Sequence, residues 1–132
     1  VYDHHFNEKE PDAHIRARRV FGLFHTHETV LANRILDAIK GLKGSRIIGR
    51  DQAEEGLRAA TISFSIEGMR SKEAAEKLVA QEVAARNGDF YAVRCLEGLG
   101  FEDVEDGIVR LSLVHYNSEQ DVDRLVAALG EL

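Results

Sequence analysis

The run GIVRLSLVHYNSEQDVDRLVAALGEL, residues 107–132, decides the fold class. Over residues 107–116 the side chains alternate: Val109, Leu111 and Leu113 share one face while Ile108, Arg110, Ser112 and Val114 share the other, which is the period of a β-strand. The pattern then changes. Asn117 or Ser118 can cap a helix, Ser118 and Asp121 have the spacing of a capping box, and Val122, Leu125, Val126 and Leu129 form an apolar stripe at helical intervals. A strand that leads directly into an amphipathic helix is a building unit of an α+β layer.

The segments upstream extend that layer. In ATISFSI, residues 60–66, Ile62, Phe64 and Ile66 alternate with Thr61, Ser63 and Ser65, as in a strand covered on one face. Pro11 and Asp12 open a segment whose apolar residues follow helical spacing from Ile15 to Leu42, and this predicts a helix over 12–42 ended by Gly41 and Gly44. RIIG, residues 46–49, reads as a short strand, and RDQAEEGLR, residues 50–58, as a loop. Ser71 is placed to cap a helix with the stripe Ala75, Leu78, Val79 and Val83 ending near Arg86, with room for a brief strand at 83–86. Asp89 can cap a short helix over 90–99 carrying Ala92, Cys95, Leu96 and Leu99 on one side, with Gly100 just past its end. These elements predict an α+β domain over residues 1–132, with three or four mostly antiparallel strands, helices packed on one face, and residues 1–11 poorly ordered.

Composition narrows the function. The chain has 132 residues, is 44% hydrophobic and 30% charged, and carries a formal charge of −6, which would repel a phosphate backbone. Nucleic acid is therefore not an expected partner. No apolar run approaches the roughly 20 residues that span a bilayer, and the opening VYDHHFNEKE has no signal-peptide core, so the expected location is cytoplasmic with no membrane partner. A Val at the first position fits a piece of a longer protein. The single cysteine cannot close an internal disulfide. Its position on the stripe of the short helix predicts that Cys95 fills the core rather than serving as a nucleophile, which needs exposure and a positive environment.

Other candidate chemistry is sparse. His25 and His27 lie two residues apart in the long helix, about 200° around its axis, and cannot share an ion, so no metal site is expected. His4 and His5 fall in the fraying start, and His115 flanks the sheet. Lys9, Lys40, Lys43, Lys72 and Lys77 fall on polar faces or in turns, and none is placed to be a desolvated amine nucleophile. Arg110 stands out because a guanidinium in mid-strand needs a partner. It either pairs with one of the chain's acidic residues or presents its fork to an anionic ligand, since Arg matches a carboxylate with two parallel hydrogen bonds.

ATISFSIEGMRSKEAAEKL, VAARNGDFYA and GIVRLSLVHYNSEQDVDRLVAAL together resemble the C-terminal small domain of class V aminotransferases, in particular their cysteine-desulfurase-like members. The resemblance implies a fold-type I enzyme that uses pyridoxal phosphate and acts on an amino acid, with the cofactor-bearing lysine in a large domain preceding this chain. It also implies a homodimer when full length. Arg110 matches the arginine that grips the substrate carboxylate, and Arg86 and Gly88 match the Arg-x-Gly that opens the active-site loop. The substrate-binding residues implied are thus Arg110 and Arg86, with a loop of Asn87, Gly88, Asp89, Phe90 and Tyr91. Desulfurases continue that loop His-His-Cys. Here Asp89, Phe90 and Tyr91 stand in those places, so Tyr91 takes the nucleophile's position and a phenol cannot carry a persulfide. On this reading the domain contributes carboxylate binding and closure of the site, and the isolated chain is inactive. The alternative on composition and element order is a stand-alone, non-catalytic α+β ligand-binding or regulatory module.

Overall fold

The computed structural model describes residues 1–54 and 56–132. Glu55, inside the predicted loop 50–58, lies outside the described residues. In chain order the elements are α1 (Tyr2–His5), α2 (Ala13–Gly41), β1 (Ser45–Ile48), β2 (Thr61–Ile66), α3 (Ser71–Ala80), β3 (Arg86–Gly88), α4 (Val93–Gly98), β4 (Ile108–Ser112) and α5 (Glu119–Leu129). The strands form one sheet in the order β1-β2-β4-β3, and each neighbouring pair is antiparallel. This is the expected α+β architecture.

Alternation along the strands divides the sheet into two unlike faces. Ile62 and Phe64 of β2 and Val109 and Leu111 of β4 are buried together with Leu31, Ile35, Leu36 and Ile39 of α2, Leu78 of α3, and Val122, Leu125 and Leu129 of α5. Burying apolar surface is worth about 25 cal/mol per Å², so this side of the sheet drives folding. The opposite side carries Arg46, Ser63, Ser65, Arg86 and Arg110, which follow from the registers Arg46↔Ser65, Ser63↔Arg110 and Arg86↔Arg110.

Long helix α2 is apolar along most of its length but buries only its second half. Leu31, Ala32, Ile35, Leu36 and Ile39 are in the core, whereas Ile15, Phe21 and Leu23 of the first half are exposed. The first half extends past the sheet, which offers it nothing to cover. Its start is fixed by Asp12, whose Oδ1 accepts from the His14 and Ile15 N–H at 2.7 and 3.2 Å. Within residues 1–11, where the sequence predicts little order, the structure has the helical turn Tyr2–His5, with Tyr2 buried and its hydroxyl accepting from Arg19 Nη1 at 2.9 Å.

Three local expectations are corrected. Helix α3 stops at Ala80, short of Arg86. Glu82 takes a left-handed φ of 62°, the Val83 N–H donates to Leu78 O at 3.1 Å and the Glu82 N–H to Val79 O at 3.0 Å, which together close the helix as a Schellman motif without its usual glycine. The third strand in the chain therefore begins at Arg86 instead of running over 83–86. Ser71 does not cap α3 either; it is the buried first residue of the helix, and its hydroxyl donates to the Asp106 carbonyl. The cap comes from a distant residue: the Asp106 carboxylate accepts from the Ser71 N–H at 2.6 Å and the Lys72 N–H at 3.2 Å.

The third correction concerns Cys95. Helix α4 spans Val93–Gly98 rather than 90–99, and Asp89 does not cap it: Asp89 Oδ1 accepts from the Tyr91 N–H at 2.8 Å and shapes the preceding turn. A helix this short at the rim of the sheet buries one side chain, Leu96, and leaves Cys95 and Leu99 exposed. Cys95 is thus not a core residue. The C-terminal end of α4 is held toward the polar face of the sheet by Arg46, which donates to Leu99 O at 2.8 Å and lies 5.0 Å from the Phe101 ring centre.

Candidate anion-binding site on the open face of the sheet

Strand β4 sits between β2 and β3, so Arg110 has a neighbour on both sides: Ser63 on β2 and Arg86 on β3. All three point away from the helices, because their sequence neighbours Phe64, Val109 and Asn87 face them. Directly opposed residues in an antiparallel pair have Cβ atoms about 5 Å apart, and like charges at that distance destabilise the ladder. Among the described residues neither arginine lies within ion-pair distance of a carboxylate, although ion pairs form elsewhere, as at Arg16–Asp3, Arg34–Asp123 and Arg70–Asp106. The salt-bridge reading of Arg110 therefore finds no partner among the described residues.

What Arg110 does touch is Phe90. The guanidinium carbon stands 3.8 Å from the centre of the Phe90 ring. An aromatic face attracts a cation through its quadrupole, and here the guanidinium centre lies over the ring. Arg110 is half-buried and Arg86 is exposed. The pair is a positive surface with free donors, suited to an anion.

The loop that brings Phe90 into place is built from the residues the sequence singled out. Gly88 ends β3, and Asp89 bends the chain. Phe90 and Tyr91 then take left-handed φ values of 51° and 61°, which L-residues other than Asn, Asp and Gly seldom adopt. One aromatic is turned inward over Arg110 and the next outward: Tyr91 is fully exposed. Beneath the loop, Asn87 Nδ2 donates to Ser71 Oγ at 3.4 Å and to the Asp106 carbonyl at 3.5 Å. Gly107 passes so close that a Cβ there would stand 2.1 Å from Gly88 O, and its φ is +64°. Only glycine fits that contact.

Arg110, Arg86 and the loop 87–91 are thus brought together in one place. Asp106 and Ser71, which support the loop, and Ser63, the third member of the row, were not among the expected site residues. Ser63 was already on the polar side of its strand by alternation. Asp106 has no signal in sequence, since its cap serves a helix far up the chain. Its carboxyl sits below the usual carboxylate range: burial pushes it up, but the Ser71 and Lys72 N–H groups, the Ser71 side chain and the Arg70 charge together outweigh that. Away from the site, His27 Nε2 is 2.7 Å from Asn117 O, and His115 stacks on Phe24 with ring centres 4.1 Å apart. Among the described residues no group of three or more His, Cys, Asp or Glu side chains could hold a metal ion. No helix among them is long and apolar enough to cross a membrane.

Residues 20–125 match the family described as Aminotransferase class-V. The chain belongs to that family. The aminotransferase-like protein FGM3 of Gibberella zeae is 35% identical to it over 105 residues, covering 78% of this chain and 26% of that protein. A probable cysteine desulfurase of Pseudomonas putida is also 35% identical over 105 residues, covering 80% of this chain and 24% of its own length. Among solved structures, the cysteine desulfurase CsdA from Escherichia coli matches at a TM-score of 0.67 and 25% identity, over 81% of this chain and 24% of that one. The apo cysteine desulfurase from Thermococcus onnurineus NA1 reaches a TM-score of 0.74 over 89% of this chain and 28% of that one; at 23% identity it speaks to the fold alone. This class V aminotransferase chain spans about a quarter of the length of the curated relatives it matches.

Proposed function

We propose that this chain is the C-terminal small domain of a pyridoxal phosphate-dependent class V enzyme acting on an amino acid, and that Arg110, assisted by Arg86, holds the substrate carboxylate. The observation that carries the reading is the cross-strand row Arg86–Arg110–Ser63 on the open face, where two guanidiniums stand opposed with no carboxylate in ion-pair distance among the described residues. A bound carboxylate relieves that repulsion and accepts two parallel hydrogen bonds from the open edge of Arg110. Family membership over residues 20–125 supports an enzyme over the stand-alone binding or regulatory module.

The cofactor's lysine is proposed to lie outside this chain. All five lysines are exposed, and Lys40, Lys72 and Lys77 are drawn toward Asp37, Glu76 and Glu73 on helix surfaces. On the proposed reading the lysine and the phosphate contacts belong to a large domain outside this chain, and the isolated chain has no activity. When bound there, pyridoxal phosphate withdraws electrons from the substrate's α-carbon. This chain's residues orient the substrate by its carboxylate, and the loop Asn87–Tyr91 closes over it. Tyr91 stands where the desulfurase pattern has its cysteine, so sulfur transfer by a persulfide at that position is not the proposed reaction. The whole protein is proposed to be a cytoplasmic homodimer.

Arg110→Lys in the full-length enzyme tests the reading, because it keeps the charge and removes the fork. The loss should be about 10- to 100-fold in kcat/KM for amino acids, larger for Arg110→Ala, and nearly absent for the corresponding decarboxylated amines. Equal losses for acid and amine would make Arg110 a structural residue.

A further inference from the structure

We propose that Phe90 is a positioning residue for Arg110: its ring fixes the guanidinium plane so that the N–H edge faces the substrate carboxylate. This rests on the carboxylate reading of Arg110 and adds the group that makes the fork directional. An arginine side chain has four rotatable bonds and loses about 2 kcal/mol of rotamer freedom when held in one geometry. On an open sheet face nothing beside it restrains it: Ser63 is short, and Arg86 repels it. Phe90 is the observed restraint, 3.8 Å from the guanidinium carbon.

The backbone supports the assignment. Phe90 has a φ of 51°, a conformation with an energetic penalty for a bulky residue, and it persists where the surroundings impose it. The imposing groups are at hand. Asp89 Oδ1 bonds the Tyr91 N–H, the Ala92 N–H closes on Asp89 O at 2.9 Å, and Gly107 is pressed against Gly88 O. The turn is thereby held in the shape that lays the Phe90 ring on Arg110. Stacking takes up one π-face of the guanidinium and none of its N–H donors, so the residue can be held by Phe90 and still bind an anion through its edge. A carboxylate in the place of Phe90 would hold Arg110 equally well but occupy those donors.

The test uses the full-length protein and L-alanine, with ethylamine as its decarboxylated counterpart. Dissociation constants come from titration calorimetry, and unfolding midpoints are measured alongside. Phe90→Ala should weaken alanine about tenfold and leave ethylamine within twofold, since a partly desolvated cation–π contact is of that size. Phe90→Trp, which keeps the π-face, should stay within about threefold of the unmutated protein. Phe90→Leu keeps apolar bulk without the π-face and should lose most of the tenfold. An Arg110 Nε–H resonance shifted upfield by the ring, and returning downfield in Phe90→Leu, would report the stack without any ligand. Three results would overturn the proposal: Phe90→Leu binding alanine as well as the unmutated protein, alanine and ethylamine weakening equally, or an Arg110 resonance that ignores the substitution. If Arg110→Lys binds alanine as well as the unmutated protein does, the carboxylate reading has failed and the positioning role falls with it. A normal Arg110–Phe90 stack with no ligand effect would make Phe90 a packing residue only.

Discussion

The two faces of the sheet are made by the same strands and obey opposite rules. On the helix side, Ile62, Phe64, Val109 and Leu111 are buried and mutually satisfied, and each could be replaced by another apolar residue of like volume. On the open side, Arg86, Arg110 and Ser63 form a row whose charges gain nothing from one another. Folding is driven by the first face and tolerates the second. A row of like charges gains nothing for the fold, and the loop 87–91 lays the Phe90 ring against its central member.

Three measurements would break or sharpen that contrast. The largest effect belongs to the covered face: Phe64 is fully buried at its centre, and Phe64→Ala should lower unfolding stability by about 3–5 kcal/mol in denaturant titrations. Arg110→Ala in the same assay should change it by less than about 1 kcal/mol. Comparable losses would mean that the open face is also a folding determinant.

An intermediate effect belongs to the seam between the faces, where Asp106 caps α3 and its carbonyl supports Asn87. Asp106→Ala should destabilise by about 1–2 kcal/mol, the usual worth of a helix cap. The acid limb follows in sign. Asp106 is lowered in the folded state, and Asp121 is held at about 2 by the Ser118 N–H, the Arg124 guanidinium and the Ser118 side chain. Carboxyls depressed on folding contribute stability that is complete above their ordinary value near 3.8 and is lost as pH falls through the folded value. Unfolding midpoints should therefore be flat down to about pH 4 and drop toward pH 2, and the drop should be shallower in Asp106→Asn and Asp121→Asn. An unchanged acid limb in both variants would place the sensitivity elsewhere.

The smallest effect is expected at α4, which belongs to neither face. Cys95 is exposed, so it should be alkylated by iodoacetamide in the folded state at close to the rate of an unfolded chain, and Cys95→Ser should alter stability by less than about 0.5 kcal/mol. Protection that disappears only on unfolding would restore a packing role for this thiol.

How legible each part was depended on the range of the interactions that form it. Strands β2 and β4 and helices α2 and α5 are written as long periodic patterns, and the Ser118–Asp121 capping box is a local device found as read. The end of α3 is not legible locally because its Schellman turn uses Glu82 in place of glycine, a choice that local preference does not announce. For α4, Ala92, Cys95, Leu96 and Leu99 have the right spacing but too little sheet beneath them, so a valid period buried one residue of its stripe.

The sequence alone determined which residues alternate, where α2 and α5 start, and that Arg110 was an exception in its strand, because those properties depend on neighbours within a turn or two of chain. Family resemblance added the roles expected of Arg86, Arg110 and the loop between them. Only the tertiary structure decided that Arg86 and Ser63 flank Arg110, that Asp106 caps α3, and that Phe90 lies over the guanidinium. Each of these depends on strand register and on a turn held by contacts with remote residues. A shift of one residue in register would put Arg110 into the core and Val109 into solvent, so the energy that selects the register resides in the buried face, and the site on the other face inherits its geometry from it.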